Sequence, residues 1–381
     1  MASLIRLIIL VVVMVSSCRL VYAAWPDWLG DDVQREIAAE WQYELEEGAV
    51  LVSPSHSRPQ IWAIISRKAK SYDIAISTML NVYKRELDDA IFHLYLLPDD
   101  EAGLNTLLAK AEQNADLIYT VGSKATVAVH QHYSKGSVPV VSVNAKDPVQ
   151  MGLIDSYEGS GEHFAFTSLN LPADVTLSFL TRFKPSLSSL GILYAKQNTS
   201  AYLTQFLPLK AEAEKQGIAV YEFVIDDEDP ELALQQVMAQ QLKAMKERDP
   251  TQSNSLLWLT GSSRLLAQVA EINQLAGDLP LLTVVPEAVS GAEDSALMSV
   301  GVSFVNNAHQ AALYGIHIVR DGADPATMPV GVLSPPDISI SFRQAKRIGS
   351  KVPFTLIEMA SDIYAEDGRV IRAQGLSMEG Q

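Results

Sequence analysis

Residues 116–153 constrain the fold more than any other part of this chain. An apolar run, Leu117-Ile118-Tyr119-Thr120-Val121, stands between Asp116 and Gly122. That is the pattern of a buried strand. Gly122-Ser123-Lys124 then opens a helical run through Ala125, Val129 and His132, and the polar turn Ser134-Lys135-Gly136-Ser137 ends it. A second apolar run, Val138-Pro139-Val140-Val141-Ser142-Val143, closes on Asn144-Ala145-Lys146-Asp147-Pro148. Strand, tight loop, helix and strand make one βαβ crossover, which should be parallel and right-handed. Two loops therefore leave the carboxyl ends of two strands on one edge of a sheet, where open α/β sheets place small ligands.

The loops suit that use. Gly122 allows a sharp turn, and Ser123 or Thr126 offers a hydroxyl beside the unpaired amides of a helix start. Asp147-Pro148 ends the second strand, because proline cannot continue a central ladder. The same residues also serve ordinary turns in any α/β protein, so the rest of the chain has to decide between the two roles.

The alternation continues on both sides. Strands are expected at 61–66 and 91–96, with helices over 72–87 and 99–114. A short extended stretch, Phe164-Ala165-Phe166-Thr167-Ser168, precedes a helix over 172–183. A second series then begins at Gly191-Ile192-Leu193-Tyr194, with strands near 220–224, 255–259 and 281–285 and helices up to Lys215, over 231–248 and over 265–276. Repeated β–α alternation predicts an α/β fold with parallel sheets covered on both faces. The two series match in order and spacing without a close sequence repeat. Beyond Gly291 a strand over 296–302, a helix over 306–321 and an extended stretch at 328–333 are expected. A short basic helix over 343–348 and a helix up to Ala360 follow, and the last dozen residues carry no strong signal.

The N-terminus reads as an export signal. Arg6 is the sole charge in the first seventeen residues, and residues 7–15 are uniformly apolar. That run is too short for a membrane span with Arg6 and Arg19 as its flanks. Val21-Tyr22-Ala23 fits a small-residue cleavage site, which predicts a periplasmic protein. Val15-Ser16-Ser17-Cys18 alternatively resembles a lipobox, with Cys18 as a lipidation site and a membrane-anchored lipoprotein as the product. Cleavage after Ala23 removes the chain's single cysteine and leaves a fold with no disulfide. An acidic amphipathic helix is expected over 31–47 on the spacing of Val33, Ile37, Trp41 and Leu45, followed by a loop over 53–59.

Several of these motifs together resemble one family, the substrate-binding proteins of bacterial ABC transporters. The similarity is to the group with a type I periplasmic-binding fold that includes tryptophan- and tyrosine-binding members. It rests on residues 116–122, Val138-Pro139-Val140-Val141, Asp147-Pro148-Val149, Gly152-Leu153 and the helix at Pro172. Gly191-Ile192-Leu193-Tyr194, Ser290-Gly291-Ala292, residues 345–349, Val352-Pro353 and Ala360-Ser361-Asp362 complete it. It covers about residues 60–365.

The resemblance implies two Rossmann-like lobes joined by a three-strand hinge, with ligand captured between them. On this reading residues 1–23 are a signal peptide and 24–58 an N-terminal extension. Lobe 1 comprises 59–165 and 299–330, lobe 2 comprises 169–298 and 335–365, and 366–381 form a tail. The crossings fall near 166–168, 299–302 and 333–340. Two departures stand out. Amino-acid-binding relatives carry an Asp-Asn pair where this chain has Thr260-Gly261-Ser262-Ser263, and an Asn where it has Ser341. Both weigh against an amino-acid ligand and leave a cleft rich in hydroxyls and amides.

Ligand contacts are expected from loops at strand ends. In lobe 1 these are Ser66, Tyr72, Ser123, Thr126, Asn144 and Asp147. In lobe 2 they are Tyr194, Gln197, Asn198, Thr260, Ser262 and Pro286. Trp62, Tyr72 or Tyr194 could cover a ring or an apolar body. No catalytic residue, metal site or cofactor is expected. The histidines are scattered, and the chain has no His-Glu-x-x-His, Gly-x-Ser-x-Gly or P-loop. A formal charge of −16 argues against a nucleic-acid partner. The expected partners are a small molecule, with aromatic and amino-acid-like compounds both open, and an ABC permease. A membrane sensor kinase is the alternative partner, and an enzyme on the same scaffold is a weaker one.

Overall fold

A computed structural model of the chain describes residues 34–378, apart from 36–37, 39–40, 47–48, 55–57, 88–89 and 227–229. The expected signal segment and Cys18 lie outside the described residues. The chain divides between Arg58 and Pro59 into two compact units.

The first unit corrects one expectation. Helical residues at Gln34, Arg35 and Ala38 give way to a hairpin of β1 (Trp41–Glu46) and β2 (Ala49–Pro54). The strands are antiparallel, with Tyr43 opposite Val52 and Leu45 opposite Val50. Trp41, Tyr43 and Leu45 alternate with Gln42, Glu44 and Glu46, so the stretch also satisfies the two-residue period of a strand. Short runs of this kind fit both periods, and pairing with the apolar Ala49-Val50-Leu51-Val52 run settles it as strand.

The second unit is built on two sheets. The first holds β3 (Gln60–Ile65), β4 (Ile91–Leu96), β5 (Leu117–Val121), β6 (Val140–Val143) and β7 (Phe164–Ala165), all parallel, in the order β4-β3-β5-β6-β7. Its central strands are buried on both faces, and the alternation assigns each residue a side. Ile61, Ala63, Leu117, Tyr119 and Val121 pack toward α1 (Lys70–Glu86). Trp62, Ile64 and Ile118 pack toward α2 (Glu101–Asn114) and α3 (Ser123–His132). The Asp100 carboxylate caps α2 by accepting the Gly103 N–H at 2.6 Å.

β8 (Thr167–Ser168) leads out of this sheet to α4 (Ala173–Phe183). The second sheet carries the parallel strands β9 (Ser189–Ala195), β10 (Ala219–Ile225), β11 (Ser255–Leu259), β12 (Leu281–Thr283) and β13 (Met298–Gly301) in the order β10-β9-β11-β12-β13. Helices α5 (Leu207–Lys215), α6 (Pro230–Arg248) and α7 (Val269–Ala276) accompany it. The helix expected up to Lys215 is interrupted by a π-helical turn at Tyr202–Phe206. Pro208 has no N–H to donate to Thr204 four residues back, and the Leu207 N–H instead reaches the Tyr202 carbonyl.

After β13 the chain returns to the first sheet as α8 (Phe304–Asp321), whose Ala308, Ala311, Ala312 and Ile316 join the core beside α1. β14 (Gly331–Val332) pairs in parallel with β8. The chain then goes back to the second sheet as β15 (Asp337–Ser341), antiparallel to β13, with β16 (Asp362–Tyr364) beside it. Two Rossmann-like lobes are thus joined by three crossing segments. β17 (Val370–Ala373) and β18 (Leu376–Ser377) extend the second sheet antiparallel, in a stretch where the sequence shows no strand signal. No helix among the described residues is long and apolar enough to cross a membrane.

Candidate ligand-binding site

The carboxyl ends of β3, β5 and β6 in one lobe, and of β9 and β11 in the other, border a single cavity of about 530 Å³. That volume suits a small organic molecule. Of the residues expected to reach it, Ser66, Tyr72, Ser123, Gln197, Asn198 and Ser262 line the cavity.

Hydrogen bonds hold these loops in register. Ser66 Oγ donates to the Val121 carbonyl at 2.7 Å and accepts the Ala125 N–H at 2.9 Å, tying the β3 loop to the start of α3. Ser123 Oγ accepts the Lys146 N–H at 2.9 Å, tying that start to the loop after β6. Gly122 adopts φ +88°, and a Cβ there would overlap the Tyr72 ring, which lies against it. The glycine therefore both turns the chain and seats the tyrosine. Burial raises the Tyr72 hydroxyl pKa, partly offset by Arg67 and by the Ser66 hydrogen bond. Tyr72 stays neutral.

Six other expected contacts do not line this cavity, and local hydrogen bonding or packing engages each of them. Thr126 is buried and bonds Thr120 Oγ1 at 3.0 Å and the Gly122 carbonyl at 3.1 Å. Thr260, fully buried, donates to the Leu193 carbonyl at 2.9 Å. Asp147 accepts the Tyr157 hydroxyl at 2.8 Å and the Gln150 N–H at 2.9 Å, which braces its own turn. Asn144, at φ +49°, donates its N–H to Asn307 Oδ1 and its Nδ2 to the Ser71 carbonyl. Tyr194 packs its ring 4.3 Å from Phe206 inside the second lobe. Pro286 is buried in the turn Pro286–Ala288. Trp62 is likewise a core residue, 4.6 Å from Tyr95 between ring centroids. Tyr72 is left as the aromatic face of the cavity.

The cations are what the sequence reading missed. Arg67, Lys124, Lys146 and Arg264 all line the cavity, and no aspartate or glutamate does among the described residues. The one available signal was position, since each directly follows a strand end or its loop. Lys146 is 6% exposed. Burial pushes its pKa down from 10.5 to about 7, and no acidic neighbour offsets the shift. A second cavity of about 560 Å³ adjoins the first and shares Arg67, Ser263 and Arg264 with it. Its wall includes Glu287, which accepts the Phe304 N–H at 2.6 Å. Among the described residues, no three His, Cys, Asp or Glu side chains are grouped to hold a metal.

Comparison with known proteins agrees with this architecture. The family model for "ABC transporter substrate binding protein" matches residues 99–363. A tyrosine-binding protein of Clostridioides difficile is 31% identical over 85 residues, which is 22% of this chain and 23% of that protein. The match thus spans about a quarter of the curated relative's length. The structure of an ABC domain in complex with L-Trp from Streptococcus pneumoniae superposes with a TM-score of 0.62 at 19% identity, covering 80% of this chain and 99% of that one. A ligand-free, open substrate-binding protein with adhesive properties from Clostridium difficile gives a TM-score of 0.59 at 17% identity, covering 78% and 96%. These structural likenesses establish the fold, and the family match extends over more than half of the sequence. The chain belongs to the ABC transporter substrate-binding protein family and has a type I periplasmic-binding fold.

Proposed function

We propose that this protein captures a small molecule in the cleft between its lobes, outside the cytoplasm, and delivers it to an ABC permease. The observation that carries this reading is the cavity of about 530 Å³ walled by strand-end loops of both sheets. A ligand touching both walls favours the closed arrangement of the lobes, and closure about the three crossings gives a permease a shape to recognise. The lobes on this reading are 59–165 with 299–330 and 169–298 with 335–365. Residues 1–23 direct export, by cleavage after Ala23 or by lipidation of Cys18. Among the described residues the cavity offers hydroxyls, amides and cations and no nucleophile paired with a base, which supports binding without turnover.

The test is a thermal-shift screen of the purified protein against amino acids, aromatic acids, organic phosphates, sugars, nucleosides and peptides. A ligand that binds only the folded state adds about 2.7 kcal/mol at a hundredfold excess over Kd. One ligand class that shifts the melting temperature, is recovered unchanged and loses its effect on Ser123→Ala supports the proposal. Turnover of the bound compound would instead support an enzyme. The separate N-terminal unit favours one second reading, in which closure is read by a membrane sensor. Ligand-dependent binding to a sensor ectodomain, with no uptake defect on deletion of the gene, would select it.

A further inference from the structure

The cleft has a polarity that the family assignment does not explain. The chain carries a net charge of −16, yet its cavity wall bears four cationic side chains and no carboxylate among the described residues. Three of the four, Arg67, Lys124 and Arg264, are exposed side chains. Lys146 differs. It extends from the first lobe toward the second, where a Cβ on Gly261 would come within 2.5 Å of its Nζ. The ammonium makes no hydrogen bond or ion pair among the described residues.

A second donor converges on the same point. The π-helical turn carries Gln205, whose Oε1 accepts the Gly261 N–H at 2.8 Å. That bond fixes the orientation of the amide, so Nε2 is the group left over. Nε2 is buried and has no partner, and it lies 3.4 Å from the same hypothetical Cβ. Two donors, one of them charged, thus meet at Gly261, Lys146 from the cavity side and Gln205 from the small pocket beside it. Leaving such groups unpaired is costly, and an acceptor with negative charge satisfies both at once. The start of α3 adds its partial positive charge on the first-lobe side, at Ser123 and Lys124. Asp226, the partner of the cavity residue Gln197 at 2.7 Å, is also held by Lys196 at 3.3 Å. Glu287 belongs to the adjoining cavity.

We infer that the ligand is an organic anion without an ammonium group, with its carboxylate, phosphate or sulfonate seated between Lys146 Nζ and Gln205 Nε2 above Gly261. This rests on the binding-protein reading and names its ligand class. An amino acid satisfies only half of the site, because no carboxylate among the described cavity residues meets its ammonium. Tyr72, Val127 and Ala128 supply the surface for the organic body.

The experiment is isothermal titration of the full chain with four matched series. L-tryptophan and L-tyrosine are the zwitterions. Indole-3-propionate and 3-(4-hydroxyphenyl)propionate are the same bodies without the ammonium. Tryptamine and tyramine lack the carboxylate. Phenyl phosphate and benzenesulfonate separate phosphate and sulfonate from carboxylate. The deaminated acids, the phosphate or the sulfonate should bind at least about tenfold tighter than the zwitterions. Their affinity should fall with added salt, and drop at least about tenfold in Lys146→Met and in Gln205→Glu. The second variant keeps the Gly261 acceptor and replaces the donor by a negative oxygen. Equal or tighter binding of the amino acids or amines, or anion binding indifferent to both variants, overturns the inference and leaves the receptor reading intact. Silence in all four series and in the wider thermal-shift screen overturns the receptor reading, and the inference with it.

Discussion

Lys146→Met should make the ligand-free protein more stable. Lys146 is 6% exposed, and burial lowers its pKa from 10.5 to about 7. In the unfolded chain the same side chain titrates near its ordinary value. Between about pH 7 and 10.5 the unfolded state therefore binds the extra proton. Stability should rise with pH across that window, and below pH 7 the folded state bears the whole penalty of a depressed lysine. A shift of this size corresponds to about 4–5 kcal/mol. Methionine keeps an unbranched side chain of similar length and removes the charge, so little cavity is created. The variant should gain about 4 kcal/mol at pH 6, or roughly 4–8 °C in melting temperature for a unit of this size. The gain should shrink to about 1 kcal/mol at pH 10, where the folded lysine is neutral and the unfolded one has begun to lose its proton. Urea denaturation of both proteins at pH 6, 8 and 10 reads this directly. A variant no more stable at pH 6, or a difference that does not change with pH, would refute the reasoning. A gain in stability with loss of ligand would show a binding site kept at the expense of folding free energy.

Other sites give sharper structural tests. Gly122→Ala places a Cβ against the Tyr72 ring at φ +88° and should cost about 1–3 kcal/mol, with weaker ligand binding as the tyrosine is displaced. Asn307→Ala removes the acceptor for the Asn144 N–H and the Thr167 hydroxyl, and the donor to the Ser168 carbonyl. These bonds join α8 to the first crossing, so the change should cost about 3 kcal/mol in denaturant unfolding. Tyr119→Phe deprives the buried Tyr83 hydroxyl of its 2.8 Å partner and should cost about 1–2 kcal/mol, while leaving ligand affinity unchanged.

Residues 116–153 show why the fold could be read ahead of the structure. Each strand there is a short apolar run, each loop a glycine, serine or proline, and each helix a 3.6-residue pattern. All of these signals lie within a few residues of one another. Repeated along the chain, they allow only a parallel α/β arrangement, and parallel strands place their βα loops on one edge. Where two periods fit one stretch, as at Trp41–Glu46, local signal is not enough and the partner strand decides. Residues 370–377 are similar, since β17 exists through pairing with β16 and β18 through pairing with β17.

The site was legible by position but not by role. Ser66, Ser123 and Ser262 lie where strand-end loops should put them, and so do Thr126, Thr260 and Asp147. What separates the two groups is whether a backbone carbonyl or amide lies within reach of the side chain, and that depends on the packing of the turn. Tyr72 and Tyr194 are equivalent as letters, yet one lies against Gly122 at the cleft and the other against Phe206 in a core. The sequence by itself determined the βα alternation, the two lobes and the edge on which the strand-end loops gather. The tertiary structure alone decided that Lys146 of one lobe meets Gly261 and Gln205 of the other. Secondary structure follows from neighbours along the chain, whereas the charge and donors of a cleft come from residues that only folding brings together.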